Sequence, residues 1–183
     1  MRKLILSINV SLDGFADHTV AIADDELHDY YRKELEHTSI ALFGRVTYQL
    51  MERYWPHAHE DPAATKADRA FAERFNAIPK IVFSKTLQRA EWNNTSLNKG
   101  DMVEEVRRLK AQPGKPLSIG GISTAQALMR HGLVDEYFLA VHPIVVTSGR
   151  RLFEKIGEPK NLELIDTRTF RSGVVVLHYK VKQ

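Results

Sequence analysis

Three short segments of this 183-residue chain combine the residue types that hold phosphate. Gly44-Arg45-Val46-Thr47, Ser84-Lys85-Thr86 and Gly120-Gly121-Ile122-Ser123-Thr124 each follow an apolar run, and the first and third lead into helical spacing. Glycine lets backbone N–H groups approach an oxyanion closely, a helix N-terminus adds the positive end of its dipole, and Arg or Lys supplies charge. Any one of these segments alone reads more simply as a turn. Three in one chain point to a ligand with several phosphates, as in a dinucleotide.

Other side chains invite chemistry with less support. His57-Ala-His59-Glu60 offers imidazole and carboxylate, ordinary zinc ligands, but with no third histidine nearby it reads better as a solvated or substrate-rim loop. Trp55, Tyr30 and Tyr31 are read as packing ahead of ligand contact. Tyr48 directly follows the first phosphate-type turn and is a candidate for the substrate pocket. The chain has no cysteine, which removes disulfides, thiolate nucleophiles and Cys-ligated metal.

The elements that must position these turns alternate along the chain. Lys3–Val10, Ser39–Phe43, Lys80–Ser84 and Leu117–Ile119 are short apolar runs that predict buried strands, with a weaker one at Thr95–Leu97. Between them, Asp24–Glu36, Val46–Met51, Ala67–Ile78, Asp101–Ala111 and Ser123–His131 carry apolar residues at helical spacing, and Gly132 closes the last. Arg53–Thr65 is the longest loop. Glu136–Val146 reads as a strand throughout, broken only at Pro143, and Leu162–Phe170 with Val174–Val181 flank Arg171-Ser172-Gly173 as an antiparallel hairpin. This alternation predicts one α/β domain over residues 1–183: a mostly parallel central sheet, helices on both faces, and a C-terminal antiparallel edge. Ligands in such sheets lie beyond the carboxyl ends of the strands, where the three turns fall.

Composition narrows the partners. The net charge of +3 is spread among acidic residues and is weak support for nucleic acid. No stretch approaches the roughly 20 apolar residues of a membrane span, and MRKLILSINV lacks the cleavage site of a secretory leader. The expectation is a cytoplasmic protein acting on a small molecule, with no metal, no nucleic acid and no membrane. A homodimer is expected because the run from Tyr137 and the terminal hairpin put apolar residues near a sheet edge.

The segments SLDGFAD, LFGRVTYQLM, KIVFSKTL, IGGISTAQALMRHGLVDEYFLAVHPIVV, GRRLF and FRSGVVVLHYKV resemble, in order and spacing, the dihydrofolate-reductase-like family that includes the reductase domain of riboflavin biosynthesis. The resemblance implies a three-layer α/β fold and hydride transfer from NADPH to a small heterocyclic or sugar-derived substrate, as in dihydrofolate reductase or 5-amino-6-(5-phosphoribosylamino)uracil reductase. The alternative is a nucleotide-binding module of the same fold without turnover. By the same resemblance, Gly44, Arg45, Thr47, Gly120 and Gly121 flank the cofactor pyrophosphate, with Ser123 and Thr124 in the same turn, and Ser84 and Lys85 read the 2′-phosphate. Ser11–Ala16, with Asp13 and Gly14, resembles the loop that closes over the nicotinamide. Asp13, Asp29 and Tyr48 are the candidates for proton delivery, and Arg150 and Arg151 for a substrate phosphate. Two departures stand out: Thr147-Ser148-Gly149 replaces a frequent Gly-x-Gly, and the region of the folate-binding acid holds Glu26, His28 and Asp29.

Overall fold

A computed structural model describes residues 1–16, 19, 21–22 and 24–182; the Asp17 that ends SLDGFAD lies outside them. The strands are β1 (Leu4–Ser11), β2 (Ile40–Gly44), β3 (Lys80–Phe83), β4 (Thr95–Asn98), β5 (Leu117–Gly120), β6 (Glu136–His142), β7 (Leu162–Thr169) and β8 (Val175–Val181). The helices are α1 (Asp25–Glu36), α2 (Arg45–Glu52), α3 (Lys66–Ala77), α4 (Met102–Ala111) and α5 (Ile122–Arg130). All eight strands belong to one sheet in the order β4-β3-β2-β5-β1-β6-β8-β7. Pairing is parallel for β1–β6, β2–β3 and β3–β4, and antiparallel for β6–β8 and β7–β8. The mostly parallel sheet and its antiparallel terminal hairpin are as the sequence predicts.

Two expectations need correction. β6 stops at His142 instead of running to Val146, because Pro143 has no N–H for the ladder and Ile144 N–H folds back onto the His142 carbonyl at 2.8 Å. The stretch 53–65 also holds a single 3₁₀ turn at Trp55–His57, and ends in the capping box of α3 formed by Thr65 and Asp68.

Contacts gather the chain into two compact units, one of residues 1–2 with 23–118, the other of 3–22 with 119–183. The first has an aromatic core. Phe71, Phe75 and Trp92 meet edge to face or tilted, with Phe75–Trp92 at 4.9 Å, and Ala41, Phe43, Ile78 and Val82 fill between them. Trp55 packs on Phe71 at 4.6 Å, so it belongs to this core. Lys80 is buried in the same region: its Nζ donates to the carbonyls of Phe75, Asn76 and Ile78 at 2.8–3.2 Å and lies 4.5 Å from the Trp92 ring. A lysine thereby closes the C-terminal end of α3, where carbonyls lack intrahelical donors.

In the second unit Leu4, Leu6 and Val10 of β1 are buried beside Tyr137, Phe138, Leu139 and Ala140 of β6. Glu136, also buried, is held by Lys3 and by His178 Nε2, the latter at 3.0 Å. β7 is the edge strand and leaves Leu164 and Ile165 exposed.

Candidate functional site: two glycine-led helix starts and the loop at residues 11–16

Helix starts distinguish the candidate turns from the rest of the chain. α1, α3 and α4 have side-chain caps from Asp24, Thr65 and Asp101, which accept from Leu27, Asp68 and Glu104 N–H. α2 and α5 start at Gly44 and Gly121 with no side-chain cap. A first turn without a cap leaves N–H groups pointing outward for an anion.

In the first unit the parallel register sets Gly44 opposite Phe83. The chain therefore leaves β2 into Arg45–Thr47 and leaves β3 into Ser84–Lys85 at neighbouring strand ends. Arg45 and Lys85 are both exposed. Arg45 Nη1 donates to Gln49 Oε1 at 3.0 Å, one helical turn along. Ser84 Oγ accepts from Leu87 N–H at 2.9 Å and Thr86 N–H at 3.2 Å, which folds the turn around Lys85.

In the second unit Gly121 takes φ 92°, a conformation that favours glycine, so the chain can turn directly from β5 into α5. Thr124 Oγ1 lies 3.1 Å from both the Gly120 and Gly121 carbonyls and fixes that turn from inside. Ser123 Oγ accepts from Arg150 Nη2 at 2.8 Å. Arg150 thus reaches the α5 N-terminus, beside the same turn, whereas the sequence placed it with Arg151 at a substrate phosphate. Arg151 instead stacks its guanidinium 4.6 Å from the Phe15 ring centre. The loop 11–16 joins this arrangement through Ala16 N–H to the Arg150 carbonyl at 2.9 Å and Leu152 N–H to the Gly14 carbonyl at 3.1 Å. Thr147 stands where glycine is frequent in the resembled family and has φ 62°, so the backbone keeps a glycine-like turn without the glycine.

The three side chains expected to deliver a proton are all committed elsewhere. Tyr48 is fully buried; its hydroxyl bonds Glu52 Oε1 and accepts from Trp92 N–H at 3.1 Å, and burial followed by the Glu52 contact pushes its pKa up to about 12. Asp29 is paired with Lys33 and Arg32 at 2.7 and 2.8 Å, which hold its carboxyl below the ordinary range. Asp13 is held low as well, first by the Ser11 hydroxyl and also by the Thr147 and Val146 amides. A phenol this hard to ionise and two carboxyls held ionised are poor proton donors near neutral pH. Tyr48→Phe should therefore lower stability by about 1–2 kcal/mol, for a lost buried hydrogen bond, with turnover nearly unchanged. A collapse of turnover in a folded Tyr48→Phe protein would return the phenol to the chemistry.

His57 and His59 are exposed, with ring nitrogens 3.4 and 3.5 Å from Glu60 Oε1. Among the described residues no three His, Cys, Asp or Glu side chains converge to hold a metal ion. No helix among them is long and apolar enough to cross a membrane. Sequence reasoning missed His142, whose Nδ1 accepts from Ile22 N–H at 3.0 Å while Nε2 faces Asn9 Oδ1 at 3.1 Å. It lies at the end of β6 opposite Ser11, and its place in an apolar run gave no polar signal.

Residues 2–176 match the family described as the RibD C-terminal domain. The uncharacterized protein YyaP of Bacillus subtilis strain 168 is 33% identical over 182 residues, covering 97% of this chain and 94% of YyaP. A putative riboflavin biosynthesis protein from Shewanella sp. PV-4 has a similar structure, with TM-score 0.73 at 20% identity and full coverage of both chains. Dihydrofolate reductase from Enterococcus faecalis, solved with NADP(H) and RAB-propyl, aligns with TM-score 0.66 at 13% identity over 99% of this chain and 97% of that one. With its mostly parallel sheet, its terminal hairpin and the family match over nearly its whole length, the chain belongs to the RibD C-terminal domain family and has a dihydrofolate-reductase-like fold.

Proposed function

We propose that the protein is an NADPH-dependent reductase acting on a small heterocyclic or sugar-derived substrate. The observation that carries this reading is the contrast among helix starts: of the five α-helices among the described residues, the two without side-chain caps are the ones that begin at the glycine turns. That fit supports a ligand with several phosphates. In the first unit the Gly44 turn offers first-turn N–H groups with the Arg45 charge next to it, and in the second unit, taken by itself, the Gly121 turn does so with Arg150. Lys85, exposed on the turn folded by Ser84, offers a cation for the ribose phosphate that separates NADPH from NADH. A bound reduced nicotinamide supplies the hydride. The chain's part is to hold the ligand and limit water, and solvent is the proton source because Asp13, Asp29 and Tyr48 are engaged elsewhere.

Fluorescence titration with NADPH and NADH tests the reading, followed by loss of reduced-nicotinamide absorbance against a panel that includes dihydrofolate and the ribosylaminopyrimidine of riboflavin synthesis. NADPH should bind at least about tenfold more tightly than NADH, the effect of one charge-assisted phosphate contact. Equal or absent binding of both nucleotides would remove the proposal. Binding with no oxidation of any panel member would favour a nucleotide-binding module of the same fold.

A further inference from the structure

The Asp13 carboxylate accepts from three donors at once. Ser11 Oγ and Val146 N–H reach Oδ1 at 2.7 and 3.3 Å, and Thr147 N–H reaches Oδ2 at 2.9 Å. Ser11 is itself fixed, since its Oγ accepts from Phe15 N–H at 3.0 Å. Thr147 has φ 62°, the left-handed region in which a β-branched residue is an outlier. Such a backbone persists where its surroundings over-determine it, and it gathers at ligand sites. Here Asp13 supplies that determination by bonding the Thr147 amide. Three residues on, Arg150 reaches Ser123 in the first turn of α5, and its carbonyl accepts from Ala16 in the Asp13 loop.

We infer that Asp13 is a positioning residue: its carboxylate latches the strained Thr147 turn and thereby holds Arg150 against the α5 N-terminus for the phosphates of the ligand. The inference rests on the cofactor reading for the ligand's identity, though not for the latch itself. Asp13 acts on binding and not on the chemical step. Loss of the carboxylate lets the 146–149 turn relax away from its left-handed residue, and Arg150 moves with it. Glycine at position 147 takes up that turn without strain and without the carboxylate.

The test compares wild type, Asp13→Ala and the double variant Asp13→Ala/Thr147→Gly. Each is titrated with NADPH and with inorganic pyrophosphate, assayed for turnover, and followed by hydrogen exchange over residues 144–152. Asp13→Ala should weaken NADPH about tenfold through KM with kcat retained, as expected when a strained turn loses its support. Exchange over 144–152 should quicken. The double variant should recover most of the affinity and protection, a rescue that general destabilisation would not produce. Unchanged affinity in Asp13→Ala, faster exchange with unchanged affinity, or a double variant as weak as the single one would each overturn the latch. If wild type binds no NADPH, the cofactor reading fails by itself, and pyrophosphate affinity reads the same contrast; absence of pyrophosphate binding too would overturn the latch. Should Asp13→Ala not fold by circular dichroism, Asp13→Leu, which keeps the size of the side chain and removes both acceptors, takes its place with the same expected outcomes.

Discussion

Lys80→Met is expected to lower the thermal unfolding midpoint by roughly 6–12 °C, the equivalent of about 3 kcal/mol in a chain of this length. Methionine nearly fills the volume of the side chain, so the loss isolates the polar contacts. Three carbonyls at the C-terminal end of α3 lose the ammonium that satisfies them, and Trp92 loses its cation. The pH dependence gives an independent check. Burial lowers the Lys80 pKa from 10.5 to about 8. Between those values the unfolded chain binds the proton and the folded one does not, so stability rises with pH across that window. The component due to Lys80 is about 3 kcal/mol, and Lys80→Met should lack it. Melting curves for both proteins from pH 7 to above pH 10 measure the difference. Parallel pH profiles would show that folding does not lower the Lys80 pKa, and a variant as stable as wild type at pH 7 would show that its hydrogen bonds to the three carbonyls contribute nothing.

Removing Arg45 and Lys85 together should weaken NADPH binding about 100-fold, since each charge-assisted hydrogen bond contributes about 1.5–3 kcal/mol. Both side chains are exposed on turns that leave adjacent parallel strands, so their removal should leave the melting temperature almost unchanged. Under the proposed function the two positions differ in what they read. Lys85→Ala alone should cost NADPH its advantage and leave NADH as it was, whereas Arg45→Ala should weaken both nucleotides. Binding should also weaken as ionic strength rises, because the attraction is between solvent-facing charges. A double variant that binds NADPH as wild type does would separate these turns from the ligand altogether.

The alternation of apolar runs and helical spacing made the architecture legible, down to the terminal hairpin, because burial on two faces of a sheet imposes a period the residues must follow. The starts of α2 and α5 were legible as turns because glycine follows an apolar run and precedes helical spacing at both. Roles that depend on distant partners were not. Tyr48 beside a glycine turn suggests a pocket, yet its hydroxyl is claimed by Glu52 and by Trp92, far along the chain. A local role was hidden too: Lys80 reads as the polar start of a strand, and only the structure shows its side chain turned back onto the nearby carbonyls of Phe75, Asn76 and Ile78. Thr147 shows its left-handed backbone only in three dimensions, since threonine in sequence argues against one.

The pairing of β1 with β6 has a consequence for how the protein is made. Ile5 and Glu136, matched in register, are about 130 residues apart in the chain. At ribosomal rates of about 5–20 residues per second, the first strand emerges many seconds before its parallel neighbour exists. Until then Leu4, Leu6 and Val10 have nothing from β6 to cover them, so slower synthesis lengthens the time for which these side chains stay open to other chains.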